Sequence, residues 1–204
     1  MISEINIYVE GGGPGYPREA IRRGFVQFFS GLRALARQKG IRFNIVAAGT
    51  RTKAHEAFCR ACLPQSSAFN VLLVDSESAV SASPKEHLCS RDRWDGTFLS
   101  DDNCHLMVQA MEAWLIADVP ALKRFYGQHF QESALPKNPD VEKIDKDLLM
   151  SALNDATRHT KKGKYDKIRD AALLLEQVDP GVVRRKANHC NRLFENLENR
   201  ISAA

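Results

Sequence analysis

The sequence predicts an α/β fold, with a mostly parallel central sheet of about four strands, flanking helices and a helical C-terminal region. Two observations carry this. Short segments rich in Ile and Val alternate with amphipathic helical segments up to residue 118. One of them, 69–75 (FNVLLVD), is a near-continuous apolar run of the kind that fills a central strand covered on both faces.

Residues 4–9 (EINIYV) alternate and read as the first strand. A helix is expected over 17–38, where Phe25, Phe28, Phe29, Leu32, Leu35 and Ala36 recur at helical spacing and Gly40 supplies the stop. Residues 41–48 (IRFNIVAA) give a second strand, and a helix follows over about 52–62. The third strand is 69–75. This β-α-β-α-β order favours parallel pairing through right-handed crossovers. Residues 76–103, rich in Ser, Pro, Asp and Gly, read as irregular. Residues 104–118 combine a fourth strand (HLMVQ) with a helix (MEAWLIAD). Further helices are expected over 119–126, 145–157, 165–177 and 180–201, with a proline-containing loop at 133–143. The expected organisation is an α/β core over 1–126 with a helical extension over 127–204 packed on it as one compact domain.

The chain has 204 residues, of which 44% are hydrophobic, enough for a sizeable core without disulfides. The apolar run around VLLV is far too short to span a bilayer. The start, MISEINIYVEGG, lacks the basic region and apolar core of a signal peptide. Five cysteines without a framework pattern fit a reducing compartment, so a cytoplasmic location is expected. Net charge is +4, with basic clusters at 18–23, 33–42, 158–169 and 184–186. Such clusters suit an anionic partner, although solvated helix faces give the same pattern.

Gly11, Gly12 and Gly13 follow the first strand. A dinucleotide fingerprint fails because Tyr16 stands at its third glycine position, and no GK[ST] follows for a phosphate loop. The three glycines then read as a turn that lets a substrate backbone approach. Glu10 is the stronger feature. It follows the first strand directly, Asp75 closes the third, and Glu77 comes two residues later. Functional groups gather at the carboxyl ends of strands in open parallel sheets. The i, i+2 spacing points Asp75 and Glu77 to one side if the extended geometry persists. Three converging carboxylates repel one another unless a divalent cation is shared, and Mg²⁺ or Mn²⁺ suits such oxygen donors. Acids at strand ends also serve as plain turn formers.

The order of strand, Glu10 and Gly11, then strand, Asp75, Ser76 and Glu77, resembles the Toprim fold, a Rossmann-like catalytic module of topoisomerases, primases and overcoming-lysogenization-defect nucleases. More closely, the chain resembles a bacterial family of Toprim-like proteins. It shares their YVEGGG (8–13), LLVDSE (72–77), MVQAMEAWLIAD (107–118) and TKKGKY (160–165) segments. The resemblance implies a metal-dependent phosphodiesterase or nuclease acting on DNA or RNA, often in phage defence or mobile elements with a partner ATPase. It also implies Glu10 as metal ligand or acid/base, with Asp75 and Glu77 as ligands. Glu77 departs from the family's second aspartate. A degenerate module that binds a nucleotide or partner without turnover is the alternative.

Other residues are weighed beside these. Glu112, in an apolar helix, is costly there unless paired or metal-bound, and is a candidate fourth ligand. Lys164 and Lys167 are candidates to stabilise charge on a phosphate; Lys161 and Arg169 would bind it, and His105 would lie near it. Cys59-Arg60-Ala61-Cys62 lacks two further zinc ligands, so buried thiols are expected. Trp94 would cap the core edge or stack a base.

Overall fold

The computed structural model describes residues 2–11, 18–63 and 67–204. Its centre is a four-stranded sheet, β1 (Glu4–Glu10), β2 (Arg42–Gly49), β3 (Ala68–Asp75) and β4 (Cys104–Met107), in the order β2-β1-β3-β4. All three pairings are parallel, so the carboxyl ends of the strands lie on one side. The ladder aligns Val9 with Leu73 and Asp75 with Met107, and its register slips between Val9 and Glu10.

Helices cover both faces. On one lie α1 (Arg18–Phe28), α2 (Ser30–Gln38), α5 (Met111–Ala117) and the C-terminal helices. On the other lie α3 (Arg51–Ala61) and α4 (Pro84–Asp92). Between α5 and the C-terminus run α6 (Val119–Tyr126), α7 (Lys146–Thr157), α8 (Lys167–Leu175), α9 (Pro180–Lys186) and α10 (Asn188–Ser202). One hydrophobic cluster joins Ile5, Ile7, Val71 and Leu73 of the sheet to Trp114, Leu153, Leu174 and Leu197. Gly24 lets α1 seat on α8, since a Cβ there would lie 2.9 Å from the Ala172 carbonyl oxygen.

Three expectations are corrected. The 17–38 helix is two helices: α1 ends at Phe28, and Phe29, at φ −91° and ψ 17°, leaves the helical conformation before α2 starts at Ser30. The 180–201 helix breaks at Ala187, which is extended and buried, and Arg184 reaches across the break to Glu198 at 2.6 Å. The segment 76–103 is not irregular throughout. It contains α4, opened by a reciprocal capping box between Ser83 and Glu86 with Pro84 in the first turn.

Candidate metal centre

The carboxyl ends of β1 and β3 bring Glu10, Asp75 and Glu77 together, with one ligand oxygen of each within 4.8 Å of the others. Among the described residues this is the one group of three or more metal-capable side chains. Glu10 ends β1, where its Oε1 accepts the Asp75 backbone N–H at 2.6 Å. Asp75 ends β3 on the face that packs against α5. Its Oδ1 accepts the Met111 N–H at 2.7 Å and so caps α5, whose own Ala110 carries no capping side chain.

Glu77 arrives by a route the i, i+2 argument did not anticipate. The extended backbone stops at Asp75, and Glu77 takes a left-handed φ of 68°. Its N–H donates to the Gln109 carbonyl at 2.8 Å, while its carboxylate meets Lys146 Nζ at 2.5 Å and Arg91 at 3.9 Å. The three acids therefore converge through the sheet register and a bent backbone, not through strand alternation.

Cations fill the surroundings. Arg51, the first residue of α3, donates to the Asp75 carbonyl oxygen. It forks onto Asp92 at 3.0 and 2.8 Å and lies 3.7 Å from Glu10. Lys167 Nζ sits 3.6 Å from Asp75 Oδ2 and 3.2 Å from Glu112 Oε1. Glu112 is fully buried and also accepts the Tyr165 hydroxyl at 3.0 Å. It thus stands behind Lys167 and is not one of the three clustered acids.

Electrostatics separates the acids. Burial pushes Asp75 well above the usual carboxylate range, and neighbouring Glu10 adds to this, with Lys167 only partly offsetting it. Burial also raises Glu10, against the pull of Arg51 and the Asp75 N–H. Glu77 goes the other way: burial would raise it, but the Lys146 contact outweighs that and holds it below its ordinary value.

The remaining candidates lie elsewhere. Gly11 has a φ of 133°, gives its N–H to the Gly49 carbonyl at 2.7 Å, and would bring a Cβ within 2.9 Å of Ile21. Its role is a fixed turn, not an anion cradle. Gly12 and Gly13 fall outside the described residues. His105 is buried between the Asp102 carbonyl and Arg192, away from the acids. Arg169 is committed to Asp170 at 2.6 Å through two nitrogens. Lys161 and Lys164 are exposed, and the Lys164 carbonyl accepts from Arg169. Cys59 pairs with His55 at 3.3 Å in no metal-like group, and Trp94 stacks on the His55 ring at 3.9 Å beneath Arg51. Sequence reading missed Arg51, Lys146 and Tyr165 as members of this site. Arg51 was within reach, since it lies two residues past the end of β2 as Glu77 lies two past the end of β3.

Residues 16–198 match the family described as a domain of unknown function, DUF4276. The chain belongs to this family. No curated protein and no solved structure matches the chain. Asp75, Glu77, Glu112 and Lys167 lie inside the matched span and Glu10 just before it.

Proposed function

We propose that the protein is a Toprim-like, Mg²⁺- or Mn²⁺-dependent phosphodiesterase that cleaves DNA or RNA. The observation that carries this reading is the convergence of Glu10, Asp75 and Glu77 at the carboxyl edge of a parallel sheet. The donor set fits the ion: three hard carboxylate oxygens, two from acids whose charged forms burial disfavours. The three ligand oxygens lie within 4.8 Å of one another, so modest side-chain movement would bring them onto one ion. A bound ion would lower the pKa of a water and neutralise phosphate charge. Glu10, Asp75 and Glu77 would hold the ion. Lys167, between Asp75 and Glu112, would offset charge on a phosphate in this reading, with Tyr165 fixing its partner Glu112. Arg51 orients Glu10 and the Asp75 backbone. The resemblance also implies a partner ATPase.

The test is cleavage of DNA, RNA and tRNA by purified protein with Mn²⁺, alone and with an ATPase encoded beside it. Glu10→Gln should lower the rate by on the order of 100-fold, equivalent to about 2.7 kcal/mol. If no nucleic acid is cut under any of these conditions, the hydrolytic reading falls.

A second reading rests on the surrounding cations. Glu10, Asp75, Glu77, Asp92 and Glu112 face Arg51, Arg91, Lys146 and Lys167, which nearly balances the cluster without an ion. A balanced network suits a degenerate module that binds without turnover. Calorimetric Mg²⁺ titration separates the two, because a self-compensated network binds the ion weakly or not at all.

A further inference from the structure

We propose that the cavity between α2 and the start of β2 binds a nucleoside phosphate, either as a free nucleotide or as the phosphorylated end of a nucleic-acid strand. The cavity holds about 500 Å³ and is lined by Arg33, Arg37 and Arg42, with Ile41 and Phe43 supplying apolar surface. That volume falls in the range of small-molecule sites, about 300–1,000 Å³. Inorganic phosphate would leave most of it unfilled.

Charge points the same way. Arg33 and Arg37 are four residues apart on α2, so their side chains share one helix face. Both are exposed, and neither forms an ion pair among the described residues. Arg42 has one acid, Glu4, at 2.9 Å, and that carboxylate also accepts from Asn44 at 2.7 Å. Three guanidinium groups line the cavity, and among the described residues one carboxylate, Glu4, pairs with one of them, Arg42. Arg33 and Arg37, one helical turn apart, repel each other, and an anion with several oxygens relieves this. Guanidinium forks match phosphate oxygens in two-pronged fashion, and the edges of Ile41 and Phe43 that reach the cavity from the core give a small apolar patch for a base or sugar edge. Because β2 is the edge strand of the sheet, the cavity opens beside it.

The site is independent of the acid centre. Arg42 opens β2 and Gly49 closes it beside Glu10, a separation of about 23 Å at about 3.3 Å per residue. The inference therefore stands whether or not the acids hydrolyse anything.

The test is calorimetric titration of the full chain in EDTA, which removes metal-dependent binding at the acids. The probes are ATP and a short 5′-phosphorylated single-stranded DNA. The comparison proteins are the double variant R33A/R37A and D75N. The two arginines are exposed and form no ion pair among the described residues, so the double variant should fold, and circular dichroism checks this. Saturable binding of ATP, weakened at least about tenfold in R33A/R37A and unchanged in D75N, establishes a free-nucleotide site. Binding of the DNA alone, with the same dependence, assigns the ligand to a strand end. Absence of saturable binding for both probes overturns the proposal, as does an affinity in R33A/R37A within about twofold of the parent.

Discussion

Asp75 and Asp170 are both buried aspartates, each with a cation supplied by the start of α8, yet they are held in opposite ways. Asp170 collects four donors: Arg169 through Nε and Nη2 at 2.6 Å each, the Tyr126 hydroxyl at 2.8 Å and the Asp166 N–H at 3.1 Å. Burial pushes Asp170 up, but Arg169 and the other donors outweigh it and hold the group below its ordinary value. Asp75 has one backbone donor and an ammonium at 3.6 Å, and faces two further carboxylates. It ends well above its ordinary value. Burial alone therefore does not mark a functional acid. What distinguishes Asp75 is a deficit of donors next to other acids, which leaves room for a cation.

The largest expected effect breaks this symmetry with metal. Mn²⁺ at about 100 times its dissociation constant should raise the parent's stability by about 2.7 kcal/mol, seen as a higher Tm. Asp75→Asn should lose that gain while its metal-free Tm stays level or rises, since it removes an acid whose charged form is disfavoured. Asp170→Asn should keep the metal gain but lose about 2 kcal/mol in all buffers, a drop of about 4–8 °C. The figure lies below that for a fully buried pair because Arg169 is half exposed and can rehydrate. A metal gain retained by Asp75→Asn, or lost by Asp170→Asn, would reverse the assignment of the two acids.

His105 extends the comparison to a buried base. Burial, with Arg192 beside it, lowers its pKa to about 3, so the folded protein keeps it neutral. The Asp102 carbonyl, Asp101 and His189 complete its surroundings. The unfolded chain takes up a proton near pH 6.5, the folded one only near 3. Between these values the unfolded state binds more protons, so stability falls as pH drops, by up to about 1.4 kcal/mol per pH unit. Chemical denaturation at pH 7 and at pH 5 measures the slope. His105→Gln should flatten it without touching metal binding, because His105 contacts none of the clustered acids.

The parts legible in the sequence were those governed by short-range pattern. Alternation in 4–9 and the apolar run of 69–75 reflect strands half or fully covered, and the strand-end rule picked out Glu10 and Asp75. The same rule applied to β2 would have found Arg51, and the Ser83-Pro84-Lys85-Glu86 capping box would have found α4. Lys146 and Tyr165 had no such signal. Each reaches the acids because a distant helix or its lead-in docks there: 69 residues separate Lys146 from Glu77, and 53 separate Tyr165 from Glu112. The break at Phe29 was hidden because no Pro marks it and the helical spacing of apolar residues runs on through it from Phe25 to Ala36.

The smallest effect decides whether Glu112 belongs to the metal centre. Its carboxylate is shared between Tyr165 and Lys167, and it lies outside the group formed by Glu10, Asp75 and Glu77. Tyr165→Phe removes the hydroxyl donor but keeps the ring, and keeps the backbone N–H that donates to Thr157 Oγ1 at 2.7 Å. A single buried hydrogen bond is worth about 1 kcal/mol, so Tm should fall by about 2–4 °C. Metal affinity should move by less than about threefold, because the lost donor acts on a group that holds Lys167 and not the ion. A shift of about tenfold or more in the calorimetric affinity would place Glu112 inside the coordination set. Lys167 would then be the group that yields its place at Asp75 when the ion enters.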